Sequence, residues 1–313
     1  MQTVTLARNA MATRFEIVLH GEDAVRLRAA GEEAFNEIER LEGQLSLYRP
    51  SSEIARVNAW AAARPVKLSL PVFQLLRQAQ QLSRETQGAF DITIAPLVRC
   101  WGFMGEGGRK PSAAEVEEAR AKVGMEKLLL DDEDCAARFA VEGAMLDLGG
   151  IGKGYAIDCA AETLREAGVT SALLHGGTST VYGLGSPPGT ESWKVAIDGP
   201  AGRAPVAVIE LYDSALSVSA AWGKSFAADG QTFGHVLDPR TGWPAAAPGA
   251  AALAAVGLPS ATETDAFSTA LLVRGAEGHD SLAGLRAAMA TLTLTPRNGD
   301  YAIQSRNIAL CRA

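Results

Sequence analysis

The chain has 313 residues, which is long enough for one large domain or two fused lobes with an ample core. Its hydrophobic fraction of 47% and charged fraction of 21% are those of an ordinary globular protein, and no run approaches the roughly 18 apolar residues of a membrane span. The net charge of -7 argues against nonspecific nucleic-acid binding, because no basic stripe is present to neutralise phosphates.

Periodicity and capping residues predict an irregular order of helices and strands. Predicted helices lie at residues 22–45, 53–58, 71–87, 113–123, 155–167 and 261–273. Predicted strands lie at residues 14–19, 144–148, 171–174, 181–185, 193–197, 206–212 and 215–218, with further strands around a polar turn at 131–134 and before residue 235. This order predicts an α+β fold with mixed sheets and packed helices, in which residues 1–313 form one domain or two closely fused lobes.

A glycine-rich turn at residues 147–158, which read DLGGIGKGYAID, lies at the centre of this order. The apolar run at residues 144–148 predicts a strand before the turn. A helix from Tyr155 to Ala167 and a strand at residues 171–174 follow, which gives a strand, glycine turn, helix and strand unit. Glycines let a ligand approach the backbone, and the start of a helix presents N–H groups to an anion, where Lys153 adds a positive charge.

Two known phosphate-binding motifs do not fit this turn. Gly154 follows Lys153 where a Walker A loop needs serine or threonine, and Tyr155 stands where a dinucleotide fingerprint needs its third glycine. A phosphate site and a tight turn without a ligand therefore both stay open from the turn alone.

Asp265 and Thr269 are four residues apart on the last predicted helix, so they lie on one face, one turn from each other. A carboxylate and a hydroxyl are hard oxygen ligands that suit Mg²⁺, which completes its shell with water and phosphate oxygens. In the alternative interpretation, Thr269 bonds back to the carbonyl of Asp265 and Asp265 faces water. The spacing alone favours this alternative.

Two further residues are open to two interpretations each. His235 lies between a predicted strand and a turn at residues 238–242, where a histidine is either a structural group or a general base near neutral pH. Tyr48 lies in a polar loop, where it either stacks on a ring or covers the edge of the core.

Six ordered blocks together resemble one family closely, the FAD:protein FMN transferases or ApbE family. The blocks are MATRFEIVLHG (11–21), SLYRPSSEIARVNA (46–59), GAFDITIAPLVRCWGF (88–103), DLGGIGKGYAID (147–158), GHVLDPRTGWP (234–244) and TDAFSTALLVRG (264–275). They span nearly the whole chain. One block alone is weakly specific, whereas six in this order are strongly specific.

The resemblance implies FAD as substrate, Mg²⁺ as cofactor, and transfer of FMN to a threonine or serine hydroxyl of an acceptor protein with release of AMP. The acceptor would be a flavoprotein subunit that carries the family's Asp-to-Thr flavinylation motif. His235 would be the catalytic base, and Tyr48 would stack on the isoalloxazine ring. The implied FAD contacts are Met11, Tyr48, Ala89, Phe90, Asp91, Asp147, Lys153 and the backbone at Leu237. The implied Mg²⁺ ligands are Asp265, Thr269 and the carbonyl of Gly150, with Ser268 nearby.

Three positions depart from the usual family pattern. Residues 219–226 read SAAWGKSF where Ser-Gly and a later tyrosine are more usual, Thr178 replaces an acidic or amide residue, and Gly152 replaces a common alanine. These departures bear on acceptor specificity and catalytic rate more than on flavin binding, because the phosphate and metal positions are intact.

Two other functions stay open. If water reaches the phosphorus in place of an acceptor hydroxyl, the same site is an FAD pyrophosphatase that yields FMN and AMP. The protein could also bind FAD without turnover. The segment at residues 265–271 resembles the acceptor motif, but Leu271 replaces its final threonine, which predicts no self-flavinylation.

The N-terminus reads as a strand rather than a secretion signal. The cysteines, Cys100, Cys135, Cys159 and Cys311, lack the paired spacing of a zinc site or a disulfide framework. We therefore expect a cytoplasmic protein, or a periplasmic one if the sequence is trimmed.

Overall fold

Helices and strands alternate irregularly through residues 1–105, 107–200, 204–245, 250–298 and 300–311, the ranges that the computed structural model describes. The helices are α1 (Ala24–Leu45), α2 (Glu53–Trp60), α3 (Leu70–Glu85), α4 (Ala95–Cys100), α5 (Ala113–Arg120), α6 (Gly152–Glu166) and α7 (Ala261–Ala283). The strands are β1 (Gln2–Ala10), β2 (Thr13–Gly21), β3 (Val66–Lys67), β4 (Leu128–Asp131), β5 (Ala136–Phe139), β6 (Ala172–Gly176), β7 (Thr180–Leu184), β8 (Trp193–Ile197), β9 (Ala207–Leu211), β10 (Ser214–Ala220), β11 (Ser225–Ala228), β12 (Gln231–Gly234), β13 (Leu253–Leu258), β14 (Ala290–Arg297), β15 (Asp300–Arg306) and β16 (Ala309–Leu310). The prediction of an α+β protein is confirmed.

Eight of the described strands form one antiparallel sheet in the order β1-β2-β6-β7-β10-β13-β14-β15. β1 and β2 are joined by Met11 and Ala12, whose φ angles of 49° and 59° match the twist of a two-residue hairpin turn. Every residue of β13 is buried, because helices cover one face of the sheet and the small β16-β9-β8 sheet packs against the other.

The helical layer consists mainly of α1, α6 and α7. The buried residues of α1 recur at helical spacing and include Phe35 and Ile38, so the predicted amphipathic helix is confirmed. α6 packs between α1 and α7, and α7 crosses the central strands β10 and β13. This arrangement brings the N-terminus of α6 beside the first turns of α7.

α7 is longer than the sequence predicts. The predicted helix ends before Gly275, but the chain continues helically to Ala283. Gly275 has φ 58° and ψ −154°, a conformation that only glycine adopts readily, and it therefore kinks the helix without ending it.

Residues 144–148 do not form the strand that their apolar character predicts. Their extended backbone makes one β-bridge, between Met145 and Ile94. The Asn58 amide instead bonds to both polar backbone atoms of Leu146, at 2.7 and 3.0 Å, and Asp147 N donates to Ile92 O at 2.7 Å. A side chain distant in sequence thus satisfies groups that a neighbouring strand would otherwise pair.

Candidate active site

A cavity of about 870 Å³ opens where α6, α7 and β10 meet the β11–β12 hairpin and the loop after α3. Eleven of the thirteen site residues that the sequence predicts line this cavity. They are Tyr48, Ala89, Phe90, Asp91, Asp147, Gly150, Lys153, His235, Leu237, Asp265 and Thr269. The fold therefore brings five of the six sequence blocks to one concave surface.

The other two predicted residues lie outside the cavity lining. Met11 is in the β1–β2 turn and packs against the main hydrophobic core. Ser268 is fully buried in α7, where its hydroxyl bonds to Asp265 O at 3.1 Å and to Ser219 Oγ at 2.9 Å. The roles that the resemblance implies for them stay predictions.

The glycine turn leads directly into α6, which begins at Gly152 rather than at the predicted Tyr155. Gly154 lies against α7, because an added Cβ would be 2.1 Å from the carbonyl oxygen of Ala261. Its backbone N–H donates to Asp265 Oδ2 at 3.1 Å. The glycine is thus required for helix packing, and this packing places a carboxylate of α7 at the N-terminus of α6.

Asp158 holds the same two helices together, a role that its local sequence does not predict. Its carboxylate accepts hydrogen bonds from Ala261 N at 2.7 Å, Thr262 N at 2.9 Å, Ser260 Oγ at 2.8 Å and Thr262 Oγ1 at 2.6 Å. These N–H groups are otherwise unpaired at the start of α7, so a residue of α6 caps the neighbouring helix. The one feature of the sequence that points to Asp158 is its position as the last residue of the glycine block at 147–158.

Serine followed three residues later by glutamate, as at Ser260–Glu263 and Ser112–Glu115, predicts capping boxes at the starts of α7 and α5. The box at the start of α7 is half formed. Ser260 Oγ accepts from Glu263 N at 3.3 Å, but the Glu263 carboxylate binds Arg286 at 2.6 Å instead of returning to the cap. By contrast, Ser112 and Glu115 form the complete capping box predicted for α5.

Asp265, Thr269 and the backbone of Gly150 converge at this junction, where a Cβ on Gly150 would lie 3.4 Å from Thr269 Oγ1. Thr269 Oγ1 donates to Asp265 O at 3.1 Å, as the alternative interpretation expects. Asp265 does not face water, however, because it is only 4% exposed. Its Oδ1 accepts no hydrogen bond within the described ranges, so one carboxylate oxygen near Thr269 and the Gly150 backbone remains available to a cation such as Mg²⁺.

Lys153 places a positive charge beside these oxygens. Its Nζ donates to Gly149 O at 3.2 Å and lies 4.0 Å from Asp265 Oδ2. Asp147 accepts from Gly149 N at 2.8 Å. Burial raises the pKa of the Asp147 carboxyl, and that hydrogen bond and the Lys153 charge oppose this rise. Lys153 can therefore offer a cation to a phosphate, whereas the N–H groups of Gly149 and Gly154 already donate to Asp147 and Asp265.

The loop after α3 forms another wall of the cavity. Ala89 and Phe90 are buried, and Asp91 is 8% exposed. Asp91 Oδ1 accepts from Thr93 N at 2.7 Å and Thr93 Oγ1 at 2.6 Å. Burial raises the pKa of Asp91 to about 6, although these hydrogen bonds act in the opposite direction. Asp91 is therefore a buried carboxylate in the cavity wall.

His235 projects from the end of the β11–β12 hairpin. Its Nδ1 lies 3.0 Å from Lys224 O, and because a carbonyl only accepts, Nδ1 carries the proton and Nε2 keeps its lone pair. The residue is exposed overall, but it lines a concave surface that surrounds part of the ring. This burial lowers the pKa of His235, and the charges of Lys153 and Lys224 lower it further, against the hydrogen bond to Lys224.

Tyr48 and Leu237 offer two different surfaces to a ligand. Tyr48 is 65% exposed, so it does not cover the core edge, and its aromatic face is free to stack. Leu237 lies opposite Pro244 in an antiparallel β-bridge. The hydrogen bonds of this bridge are made by the residues on either side, since Asp238 N donates to Trp243 O and Ala245 N donates to Val236 O. The N–H and C=O of Leu237 consequently point away from Pro244.

Residues 219–226 depart from the usual family pattern in sequence. In the structure, Ser219, Trp222, Gly223 and Lys224 all line the cavity, and Lys224 contacts His235. The unusual sequence therefore lies at the candidate site itself.

Across the described ranges, no helix has the length and apolar character needed to cross a membrane.

The same ranges contain no cluster of three or more histidine, cysteine, aspartate or glutamate residues that could hold a metal ion. The Asp265 junction is the candidate cation site because of its oxygen atoms, since Mg²⁺ takes few protein ligands.

Comparison with known proteins agrees with this geometry. The model of the ApbE family matches residues 11–292. An FAD:protein FMN transferase of Klebsiella pneumoniae is 33% identical over 218 residues, which cover 69% of this chain and 67% of the relative. An FAD:protein FMN transferase of Haemophilus influenzae is 28% identical over 286 residues, which cover 88% and 81%.

Solved structures give the same result. The ApbE protein of Thermotoga maritima superposes with a TM-score of 0.88 at 27% identity, covering 97% of each chain. The flavinyl transferase ApbE of Pseudomonas stutzeri superposes with a TM-score of 0.84 at 30% identity, covering 97% of this chain and 94% of that one. The chain therefore belongs to the ApbE family, as the six sequence blocks predict. Its relatives are transferases, and the prediction of an enzyme is confirmed.

Proposed function

We propose that this enzyme transfers FMN from FAD to a threonine or serine hydroxyl of an acceptor protein and releases AMP, with Mg²⁺ as cofactor. The observation that carries this proposal is the convergence of three chemically different groups on one cavity. These groups are the oxygens at Asp265 and Thr269, the Lys153 cation and the unprotonated Nε2 of His235.

FAD would occupy the cavity as substrate, because the cavity volume of about 870 Å³ suits a ligand of this size. The exposed ring of Tyr48 would stack on the isoalloxazine, and the free backbone groups of Leu237 would bond to a polar edge of the flavin. The remaining proposed contacts are Met11, Ala89, Phe90, Asp91, Asp147 and Lys153.

Mg²⁺ would be held by Asp265, Thr269 and the Gly150 carbonyl, whose hard oxygens fit this ion. Bound there, Mg²⁺ would neutralise negative charge on the pyrophosphate of FAD. Lys153 would contribute a second positive charge beside the pyrophosphate without any proton transfer.

His235 would act as the base. As the acceptor oxygen bonds to the phosphorus of the FMN half, Nε2 takes the hydroxyl proton and the P–O bond to AMP breaks. General-base catalysis of this kind contributes roughly 10²–10⁴-fold. The lowered pKa of His235 keeps the imidazole neutral, and therefore basic, at neutral pH.

The acceptor would be a second protein carrying the Asp-to-Thr flavinylation motif. The similar segment of this chain lies in α7, where Asp265 and Ser268 are buried and Leu271 replaces the final threonine. Burial and the missing hydroxyl both argue against self-flavinylation.

Mass spectrometry tests the proposal directly. A candidate acceptor carrying the motif is incubated with this protein, FAD and Mg²⁺, and its mass should increase by one FMN. EDTA should abolish the gain, and so should His235→Ala, although that variant should still bind FAD.

Two other results would overturn the proposal. Free FMN and AMP without acceptor modification, for every acceptor tested, would indicate an FAD pyrophosphatase. Bound FAD with neither product would indicate a flavin-binding protein without turnover.

A further inference from the structure

Lys224 and His235 face each other at the open end of the β11–β12 hairpin. The last pair of the ladder is Ser225 with Gly234, so Lys224 and His235 form the next pair outward. Lys224 O accepts both the backbone N–H of His235 at 2.9 Å and the ring Nδ1 at 3.0 Å. One carbonyl oxygen thus holds both the backbone and the imidazole of the same residue.

Gly223 provides the surface against which this ring packs. An added Cβ would lie 2.8 Å from His235 Cε1 and 3.4 Å from Nδ1. The φ of Gly223 is not in the left-handed region, so alanine would be compatible with the backbone. The imidazole is therefore the group that an alanine side chain at this position would displace.

The Lys224 side chain anchors the segment to the rest of the fold. Its Nζ donates to Phe103 O at 2.8 Å and to Gly105 O at 3.1 Å, in the loop after α4. Because the two-stranded hairpin is not part of the large sheet, such contacts determine where His235 lies relative to Lys153 and the metal candidates.

We infer that Gly223 and Lys224 are positioning residues for His235, which together set the place of the ring and leave Nε2 as the nitrogen with a free lone pair. This inference rests on the proposed function for the role of His235 as base. It also gives two residues of the unusual 219–226 segment a role at the proposed base.

The tautomer can be measured without reference to activity. ¹⁵N spectra of the ring-labelled protein, with the His235 signals identified by their loss in His235→Ala, should show a protonated Nδ1 and an unprotonated Nε2. In Gly223→Ala, a displaced ring should lose this single tautomer. An unchanged tautomer in Gly223→Ala would overturn the inference.

Kinetics provide the second readout. Since a displacement of about 1 Å can cost 10²-fold in rate, kcat for FMN transfer should fall roughly 100-fold in Gly223→Ala, with an unchanged Kd for FAD. Gly43→Ala is the matched control, because Gly43 lies in α1 with no atom within 4 Å of the added Cβ. An unchanged kcat in a folded Gly223→Ala protein would also overturn the inference.

Lys224→Met tests the anchor if Gly223→Ala fails to fold. Removing the ammonium should lower kcat and move the acidic limb of the kcat–pH profile to higher pH, because the Lys224 charge lowers the pKa of His235. Lys224→Arg should restore both. Lys110→Met removes another contact of the hairpin, the 2.7 Å ion pair with Asp229, and should not move that limb. Equal shifts in Lys110→Met and Lys224→Met would overturn the anchor.

The inference and the proposed function can fail separately. If His235→Ala retains transfer, the base assignment fails, while the tautomer measurement still decides whether Gly223 positions the ring. If His235→Ala abolishes transfer and Gly223→Ala changes neither tautomer nor kcat, only the positioning inference fails.

Discussion

Gly154 of α6 packs directly on Ala261 of α7, so closely that a Cβ would lie 2.1 Å from the Ala261 carbonyl oxygen. The same Cβ would lie 2.9 Å from the Cβ of Asp265. Neither helix can yield locally, since the oxygen belongs to the backbone. The absence of a side chain at this position therefore sets the distance between the glycine turn and the α7 residues of the candidate metal site, Asp265 and Thr269.

Gly154→Ala should consequently destabilise the fold. Overpacking a tight contact costs about 1–3 kcal/mol, and a backbone clash should cost at least the upper part of this range. Urea unfolding measures the change, with Gly43→Ala as the control. Gly43 lies inside α1 with open space around it, so alanine there should stabilise by about 0.5–1 kcal/mol. Equal urea midpoints for Gly154→Ala and the wild type would contradict the packing argument.

Asp158→Ala should also destabilise the contact between α6 and α7, because Asp158 of α6 caps the start of α7. The substitution removes the acceptor for two backbone N–H groups and two hydroxyls at the start of α7. A lost cap together with unpaired donors should cost about 2–4 kcal/mol of unfolding free energy.

Ser112→Ala provides the comparison for this variant, because it removes a cap from the exposed helix α5 and should cost about 1 kcal/mol. If chemical denaturation gives the two variants the same unfolding free energy, Asp158 acts only as an ordinary surface cap.

The pH dependence of stability should reveal the buried Asp91. Its folded pKa of about 6 exceeds the ordinary value of 3.8, so the folded state binds more protons than the unfolded state between these values. The free energy of unfolding contributed by Asp91 therefore falls as pH rises from about 4 to 6. A shift of about two units corresponds to about 3 kcal/mol.

Asp91→Asn removes this titration while keeping an oxygen for the two Thr93 donors. The stability of the variant relative to the wild type should therefore increase by up to about 3 kcal/mol between pH 4 and pH 7. Denaturation at both pH values tests this. If the difference in unfolding free energy between Asp91→Asn and the wild type is the same at both pH values, the pKa of Asp91 is not raised in the folded protein.

The sequence predicts which residues line this cavity better than it predicts the hydrogen bonds between distant segments that hold them there. Capping residues and periodicity correctly locate α1 and α5, because these helices are determined by local patterns. Residues 144–148 were predicted as a strand since apolar character cannot reveal that Asn58 satisfies their backbone. The role of Asp158 likewise depends on the packing of two helices about 100 positions apart, which no local pattern encodes.

The family blocks predicted which residues converge, but not how each hydroxyl is used. Thr269 lines the cavity, whereas the neighbouring hydroxyl of Ser268 faces β10 and bonds to Ser219. Adjacent positions on a helix point in directions about a quarter turn apart, so one block supplies both a ligand candidate and a packing contact.

Thr269→Val should separate these two hydroxyls functionally. Valine keeps the shape of threonine but removes the proposed Mg²⁺ ligand, so the Mg²⁺ concentration for half-maximal transfer should rise roughly 10–100-fold. Ser268→Ala should instead cost about 1 kcal/mol of stability through its lost hydrogen bonds and leave the Mg²⁺ requirement unchanged. Titration of transfer activity with Mg²⁺ at saturating FAD compares the variants. A shift in Ser268→Ala as large as that in Thr269→Val would place both hydroxyls at the cation, against the contacts of Ser268 with Ser219.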